Sequence, residues 1–516
     1  MSRFAVILPL LFVIFFLPEL ALAVTADGGA ASGGIDQTIN RLISPVTNAV
    51  SAFIFFSVPV AGADVPLIVV WLISCSVFYT FYLRVLTPSN IATSLRLIRG
   101  DYSAHDHPGQ VSHFQALSTA LSGTVGVGNI GAVAFAITVG GPGALFWIIV
   151  GGLLGASLKC GECILGVKYR EEHADGSVSG GPMFYLEKGL GERNRPKLGK
   201  FIGSLYALFI VVGCLGIGNM FQSNQAFTQL QFITGGVDGM LGGKGWLIGG
   251  IMAFIVALVL IGGIKSITRV TSRLVPFMAG IYFVTAVLVI LLNIENLPGA
   301  VHAVVTQAFD PAGVAGGMFA VMIIGFRRSA FSNEAGLGSS SIAHAAVKTK
   351  NPATEGFVGL LEPIIDTVII CPLTGFVILL TVFTPDMVGG GVQGVQLTSA
   401  AFETVIWWFP YVLAVVIVLF AFSTIIAWGY YGQKGWTYLF GNTRAQKNIF
   451  CFAYCLFVLV GCTLELGVII DFSDAIVFCM ALPNVMGLYF MAPIVKREIK
   501  DYLEKIRNGT IVNVRT

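Results

Sequence analysis

With 516 residues, 55% of them hydrophobic and only 11% charged, and a mean hydropathy of +0.84, the chain has too little charge to coat a water-soluble fold. A net charge of +3 points to no particular partner, and no nucleic-acid or soluble-cofactor motif is present. What remains is a protein that crosses a lipid bilayer many times.

Residues 1–23 hold Arg3, an apolar run from Phe4 to Leu17, a break at Pro18 and Ala21-Leu22-Ala23. That order reads as a cleaved secretory signal; a retained first span is the alternative. Residues 24–65 follow as an outer, partly amphipathic segment, with Ile39–Val60 lying along or dipping into the membrane. The apolar runs then predict eleven spans, near 66–87, 115–139, 142–167, 201–229, 245–264, 272–293, 314–345, 356–383, 404–432, 449–468 and 471–494. Cleavage puts the mature N-terminus outside and the end of the last span inside. Most of the 30 lysines and arginines then fall in or beside inner loops or the tail, as the positive-inside rule requires.

The second span contains Ser122-Gly-Thr-Val-Gly-Val-Gly-Asn-Ile-Gly131. Each interior glycine costs a helix about 1 kcal/mol relative to alanine. Freed backbone groups survive at bilayer depth only where they line protein or a water-filled cavity. A glycine seam for close helix packing is the bland account. The seventh span has a matching interruption, Phe331-Ser-Asn-Glu-Ala-Gly-Leu-Gly-Ser-Ser-Ser341. Paired breaks in two halves point to a transporter site between them. The expected organisation is therefore a peripheral span at 66–87, a first five-helix repeat at 94–293, an outer connection at 294–313, a second repeat of opposite orientation at 314–497, and an inner tail at 498–516. The fold class is an all-α integral membrane protein of about 11 transmembrane helices with a 5+5 inverted-repeat core.

Several motifs carry a specific resemblance: Gly123-Thr-Val-Gly-Val-Gly-Asn-Ile130, Gly140-Gly-Pro-Gly-Ala-Leu-Phe-Trp147, Val167-Lys-Tyr-Arg-Glu171, Phe331-Ser-Asn-Glu-Ala-Gly-Leu-Gly-Ser339, Ile342-Ala-His-Ala-Ala346, Ile365-Asp-Thr367 and Trp428-Gly-Tyr-Tyr-Gly432. Together, from about Ser94 to Arg497, the chain resembles the alanine/glycine:cation symporter family. Ile148 and Ile149, Gly152, Ala156 and the Arg327-Arg328-Ser329 run depart from its pattern. The resemblance implies sodium- or proton-coupled uptake of a small neutral amino acid across a bacterial inner membrane. It also implies the inverted-repeat fold of the neurotransmitter:sodium symporter relatives. No cofactor beyond the coupling ion is expected.

In the first break, Gly126 and Gly128 let backbone amides approach a substrate carboxylate, and Thr124 can donate to the same group. Asn129 can serve a cation, the substrate or a helix cap. Gln222 lies one turn from both Asn219 and Gln225, so one helix face would present three amides. The resemblance makes Gln222 a substrate ligand; interhelical hydrogen bonding is the alternative. Adjacent Ser423 and Thr424, with the carbonyls of Ser122 and Val125, could supply a sodium shell, a placement that rests on analogy with the related fold. Bonding to their own helix carbonyls is the other use of such hydroxyls. Trp428 and Phe331 would wall the pocket.

The charges near bilayer depth need partners. Lys159 and Glu162 read as a local pair. Glu362 and Asp366 share a face at i,i+4, so they would pair with Arg327 or Arg328 or else relay a proton; Glu334 is a third buried acid. His105, His107 and His113 read as solvated loop residues, and His344 as a cap or packing residue. All nine cysteines fall in apolar segments and read as small core residues. Cys160-Gly-Glu-Cys163 has metal-ligand spacing, yet no second pair or neighbouring histidine in the sequence completes a zinc site. No HExxH or GxSxG motif suggests an enzyme.

Overall fold

Apolar chain in lipid must satisfy its own backbone, which leaves helices as the economical choice. The computed structural model describes residues 48–60, 62–102, 107–174, 176–310, 314, 316–388 and 394–511. The expected signal at 1–23 and the stretch to residue 47 lie outside the described residues. Residues 48–54 are helical, and a small antiparallel hairpin, β1 (Ser57–Val60) with β2 (Ala63–Pro66), follows. Thus the expected amphipathic piece ends as a strand pair.

Helix α1 (Leu67–Leu83) turns by 95° into α2 (Pro88–Arg99). The turn is set by Arg84 in the left-handed region and by Pro88 at the first helical position, with Thr87 capping the Asn90 amide. Ser112 and Gln115 form a capping box that starts α3 (His113–Thr124). The backbone is extended at Val125, passes through a π turn at Gly128–Ala132 and resumes as α4 (Val133–Gly140), bent by 45°. The first expected break is present.

After α5 (Gly143–Lys168), a two-residue strand pair, Glu171–Glu172 with Val178–Ser179, leads to α6 (Pro182–Gly191). Next come α7 (Pro196–Leu215), a π turn at Gly216–Met220 and α8 (Phe221–Ile233). Then follow α9 (Gly245–Ile261), α10 (Gly263–Leu292) and α11 (Leu297–Gln307).

The second half opens with α12 (Gly317–Asn333) and α13 (Ser341–His344). Between them Glu334, Gly336 and Gly338 have φ of 57°, 88° and 80°. That conformation suits glycine and strains glutamate. A side chain on Gly336 would also overlap Leu72 of α1. The second expected break is therefore a non-helical stretch packed against its neighbours. Helices α14 (Pro352–Gly359) and α15 (Leu361–Pro363), a π segment at Ile364–Ile370 and α16 (Cys371–Thr381) make one long rod. The chain closes with α17 (Val395–Glu403), α18 (Phe409–Phe440), α19 (Arg444–Gly461) and α20 (Leu466–Arg507).

Among the described residues, six helical rods are long and apolar enough to cross a membrane, or eight if each bent pair counts as one crossing. The expected spans 245–264 and 314–345 are continuous helix for only 17 residues each. Trp246, Phe254 and Leu258 on α9 and Phe277, Val284 and Leu291 on α10 face outward, exposed. Such an apolar exterior over a buried polar interior is that of a multi-pass membrane protein. Inside it, α18 packs against α7, α8 and α10, while α5 packs against α12 and α14. The breaks and π turns of these rods meet in the middle.

Candidate substrate and ion site

Gly126 brings three elements to one point. A Cβ there would lie 2.6 Å from the Thr424 hydroxyl of α18 and 3.4 Å from Gln222 Oε1 of α8. The Gln222 amide nitrogen donates to the Ile217 carbonyl at 3.0 Å, a group freed by the π turn. Its Oε1 is buried with no hydrogen-bond partner among the described residues. An unpaired buried acceptor costs about 1–3 kcal/mol, which an incoming N–H donor removes.

The expected face of three amides is not shared. Asn219 turns to the Tyr454 carbonyl at 2.8 Å. Gln225 donates to Asn224 and accepts the Val395 N–H. The π turn ending at Met220 inserts a residue and rotates Asn219 away from the i,i+3 line. Of the three, only Gln222 reaches Gly126, while Gln225 Oε1 lies at the far end of the break, beside Gly131.

The break also binds itself. The Gly126 N–H donates to Asn129 Oδ1 at 2.9 Å, so Asn129 caps the amide expected to face a ligand. Asn129 Nδ2 donates to Asp366 Oδ1 at 2.5 Å and to the Asp366 carbonyl at 3.1 Å. Thr124 makes only long contacts to Ala120 and Leu121 carbonyls, 3.4 and 3.5 Å, which leaves its hydroxyl easily redirected. Gly128 begins the π turn, and a Cβ on it would touch the Phe331 ring at 3.7 Å.

Of the adjacent hydroxyls, Thr424 donates across to the Ser122 carbonyl at 2.8 Å, besides its own Phe420 carbonyl at 3.0 Å. Ser423 bonds Phe420 at 2.9 Å and faces the Met278 sulfur. The Ser122 hydroxyl returns to the Thr119 carbonyl, and the Val125 N–H to the Leu121 carbonyl. Thr424 thus ties α18 to the break, with Ser122 carbonyl oxygen beside it.

Phe331 lies beside this break, against Gly128, and Trp428 stands one turn beyond Thr424 on α18. Phe331 packs edge-on to Phe221 with ring centroids 5.3 Å apart, beneath the Arg328 guanidinium. Trp428 is fully buried, and its indole N–H donates to Glu334 Oε1 at 2.9 Å. Gly218 makes room for it: a Cβ there would overlap the indole.

The charges pair differently from their sequence neighbours. Lys159 donates to the Ser340 hydroxyl at 2.7 Å and faces Glu362 at 3.4 Å. Glu162 instead accepts the Gly338 N–H and the Asn484 amide. Residues three apart lie on one helix face, but here the two side chains reach different segments of the second break. Arg327 and Arg328 both bind Asp474 of α20, not Glu362 or Asp366.

His113 is buried against Glu355, so it is no solvated loop residue. Position 105 lies outside the described residues. Glu355 also meets His344 Nδ1 at 2.5 Å, while His344 Nε2 meets Glu362 at 2.6 Å. His344 is the centre of a buried relay running from His113 through Glu355 and Glu362 to Lys159. Cys163 does have a histidine beside it: its sulfur, His344 and Glu362 offer ligand atoms all within 4.8 Å of one another. Both His344 nitrogens are already engaged by carboxylates, which leaves no lone pair for a metal without breaking that relay.

The solved structure of MhsT in complex with L-phenylalanine superposes with a TM-score of 0.54 at 15% identity, covering 76% of this chain and 98% of that one. The chain therefore shares the fold of MhsT. Residues 51–515 match the sodium:alanine symporter family. The sodium/alanine symporter AgcS of Methanococcus maripaludis is 34% identical over 444 residues, covering 86% of this chain and 95% of AgcS. The amino-acid carrier protein AlsT of Bacillus subtilis is 33% identical, covering 77% of this chain and 82% of its own length. The probable sodium/glutamine symporter GlnT of the same organism is 31% identical, covering 86% and 89%. The chain belongs to the sodium:alanine symporter family.

Proposed function

We propose that this protein is a secondary active transporter that couples sodium entry to uptake of alanine, glycine or a similarly small neutral amino acid. The observation that carries the reading is Gln222 Oε1, buried without a partner and aimed at the glycine-broken backbone beside the Thr424–Ser122 contact. An ammonium group would satisfy that oxygen without burying a second fixed charge. Thr124 and the amides near Gly126 and Gly128 would take the carboxylate, with Asn129 holding the break in shape. Phe331 and Trp428 would limit side-chain size. Sodium would sit among Ser122, Val125, Ser423 and Thr424, joining α18 to the first break and favouring one state of the alternating cycle.

In this reading the chain crosses a bacterial inner membrane eleven times, the last ten as two five-helix repeats. The mature N-terminus lies outside and the C-terminus inside. Labelled alanine uptake into proteoliposomes tests it, with an imposed sodium gradient, a pH gradient or neither. Accumulation with sodium alone supports the reading. Accumulation with pH alone replaces sodium by a proton, for which the buried His344–Glu362 pair offers a path. Equal flux without either gradient means a passive pore.

A further inference from the structure

One face of α10 begins in charge and continues in hydrocarbon. Lys265, Arg269 and Arg273 follow one another four residues apart, and all three are exposed. That spacing keeps them on one side of the helix, in a column about 12 Å long. The same side runs on through Phe277, Val284 and Leu291, all exposed and apolar. Among the described residues, none of the three cations has an ion-pair or side-chain hydrogen-bond partner. The sequence has no aspartate or glutamate between Asp238 and Glu295, so the neighbouring helical turns offer none.

Length fixes the height of the column. The 30 residues of α10 make a rod about 45 Å long, at 1.5 Å per residue. The hydrocarbon core of a bilayer is about 30 Å thick. From Leu274 to Leu292 the helix carries no charge, and that run covers about 28 Å, enough for the core. The earlier turns, with the column on them, then stand at the level of the headgroups. A single lysine or arginine at that height would simply hold its charge in water. Three in line without an acid make a strip of positive potential, and each strengthens attraction to an anionic surface roughly fivefold. On the buried side of the same turns, the Thr271 hydroxyl lies 3.0 Å from that of Thr119 on α3, so this segment also braces the first broken helix.

We propose that Lys265, Arg269 and Arg273 bind the headgroup of an anionic phospholipid. In the orientation given above this lipid belongs to the inner leaflet, and the site holds whatever solute the protein carries. Phosphate oxygens take the place of the missing carboxylates. Each guanidinium offers paired N–H donors to a phosphate, and the lysine adds a point charge. The acyl chains lie along Phe277 and Val284. A lipid that binds only the folded protein raises its stability by mass action.

The test uses the full chain in a neutral detergent, with dioleoyl phosphatidylglycerol as the probe and dioleoyl phosphatidylcholine as its zwitterionic counterpart. Native mass spectrometry counts bound lipid, and the thermal unfolding midpoint is followed as lipid is added. Wild type should bind the anionic lipid about tenfold or more tightly than the zwitterionic one, with a rise in the midpoint. Joint Lys265→Gln, Arg269→Gln and Arg273→Gln should remove that preference. Joint Arg193→Gln, Arg195→Gln and Lys197→Gln takes the same charge from an exposed stretch at the start of α7 and should retain it. Equal binding of the two lipids by wild type overturns the site, as does an unchanged preference in the first triple variant or an equal loss in both. Inorganic phosphate raising the midpoint as much as the anionic lipid would mean that the column takes a free anion, which also overturns it. Should the first triple variant fail to fold, Arg269→Gln decides. Roughly fivefold weaker binding of the anionic lipid is expected, restored by Arg269→Lys, and an unchanged affinity rejects the site.

Discussion

Trp428 and Glu334 are joined by an indole N–H to carboxylate hydrogen bond of 2.9 Å, so Trp428 of α18, the proposed pocket wall, is held by the second break. Glu334 is itself fixed by the Ser339 hydroxyl and by a left-handed backbone with φ of 57°. Replacing Glu334 by Gln keeps an acceptor in place and should leave the KM for alanine within about threefold of wild type. Glu334→Ala removes the anchor and should raise it roughly tenfold or more. Equal KM values for the two variants would show that the indole needs no such tether.

Gly218 tests the same wall from behind. A methyl there would overlap Trp428 and displace the ring. Gly218→Ala should cut alanine uptake by about tenfold or more, overpacking of this kind typically costing 1–3 kcal/mol. Gly280 on α10 has open space around its would-be Cβ, and Gly280→Ala should stay within about twofold. Initial uptake rates, normalised to protein in the membrane, decide the comparison.

Thr424 and Ser423 should separate under substitution although they are adjacent. Only Thr424 reaches the Ser122 carbonyl. Thr424→Val should weaken apparent sodium affinity about tenfold, with a smaller effect from Ser423→Ala. Sodium-activation curves at saturating alanine measure both, and a larger loss in Ser423→Ala would reverse the assignment.

Lys159 is completely buried, and removing one member of a buried ion pair typically costs about 3–5 kcal/mol. Lys159→Met should therefore lower the thermal unfolding midpoint in detergent markedly. Adding Glu362→Gln to it should recover part of the loss, because the carboxylate left with His344 as its remaining partner is then neutral. Glu162→Gln in the Lys159→Met background should recover less, since Glu162 is served by Gly338 and Asn484.

What the sequence revealed follows from what is local in the physics. Both breaks were legible because glycine and polar residues in an apolar run conflict with a helix over a few positions. Gln222 and Phe331, singled out from the sequence, lie beside Gly126 and Gly128 respectively. The partners of the buried charges were not legible. Lys159 and Glu162 sit at helical spacing, yet one faces Glu362 and the other Asn484, choices made by tertiary packing. The rotation of Asn219 was hidden for a related reason: a π turn adds a residue without a strong compositional sign, and it shifts every face that follows. His113 precedes a capped helix in a polar stretch, so nothing nearby in the chain announced Glu355.

The pairing of Lys159 with Glu362 also bears on how the chain is built. Lys159 is made about two hundred residues before its partner, which at usual synthesis rates is an interval on the order of ten to forty seconds. During that time a lysine in the third expected span must enter the bilayer at a cost of about 2.5–3.5 kcal/mol, or wait near its surface. The first half of the molecule therefore cannot reach its final electrostatic state alone. A chain that stalls before residue 362 keeps an orphaned ammonium in its membrane region, a chemical flag by which an unfinished copy differs from a completed one.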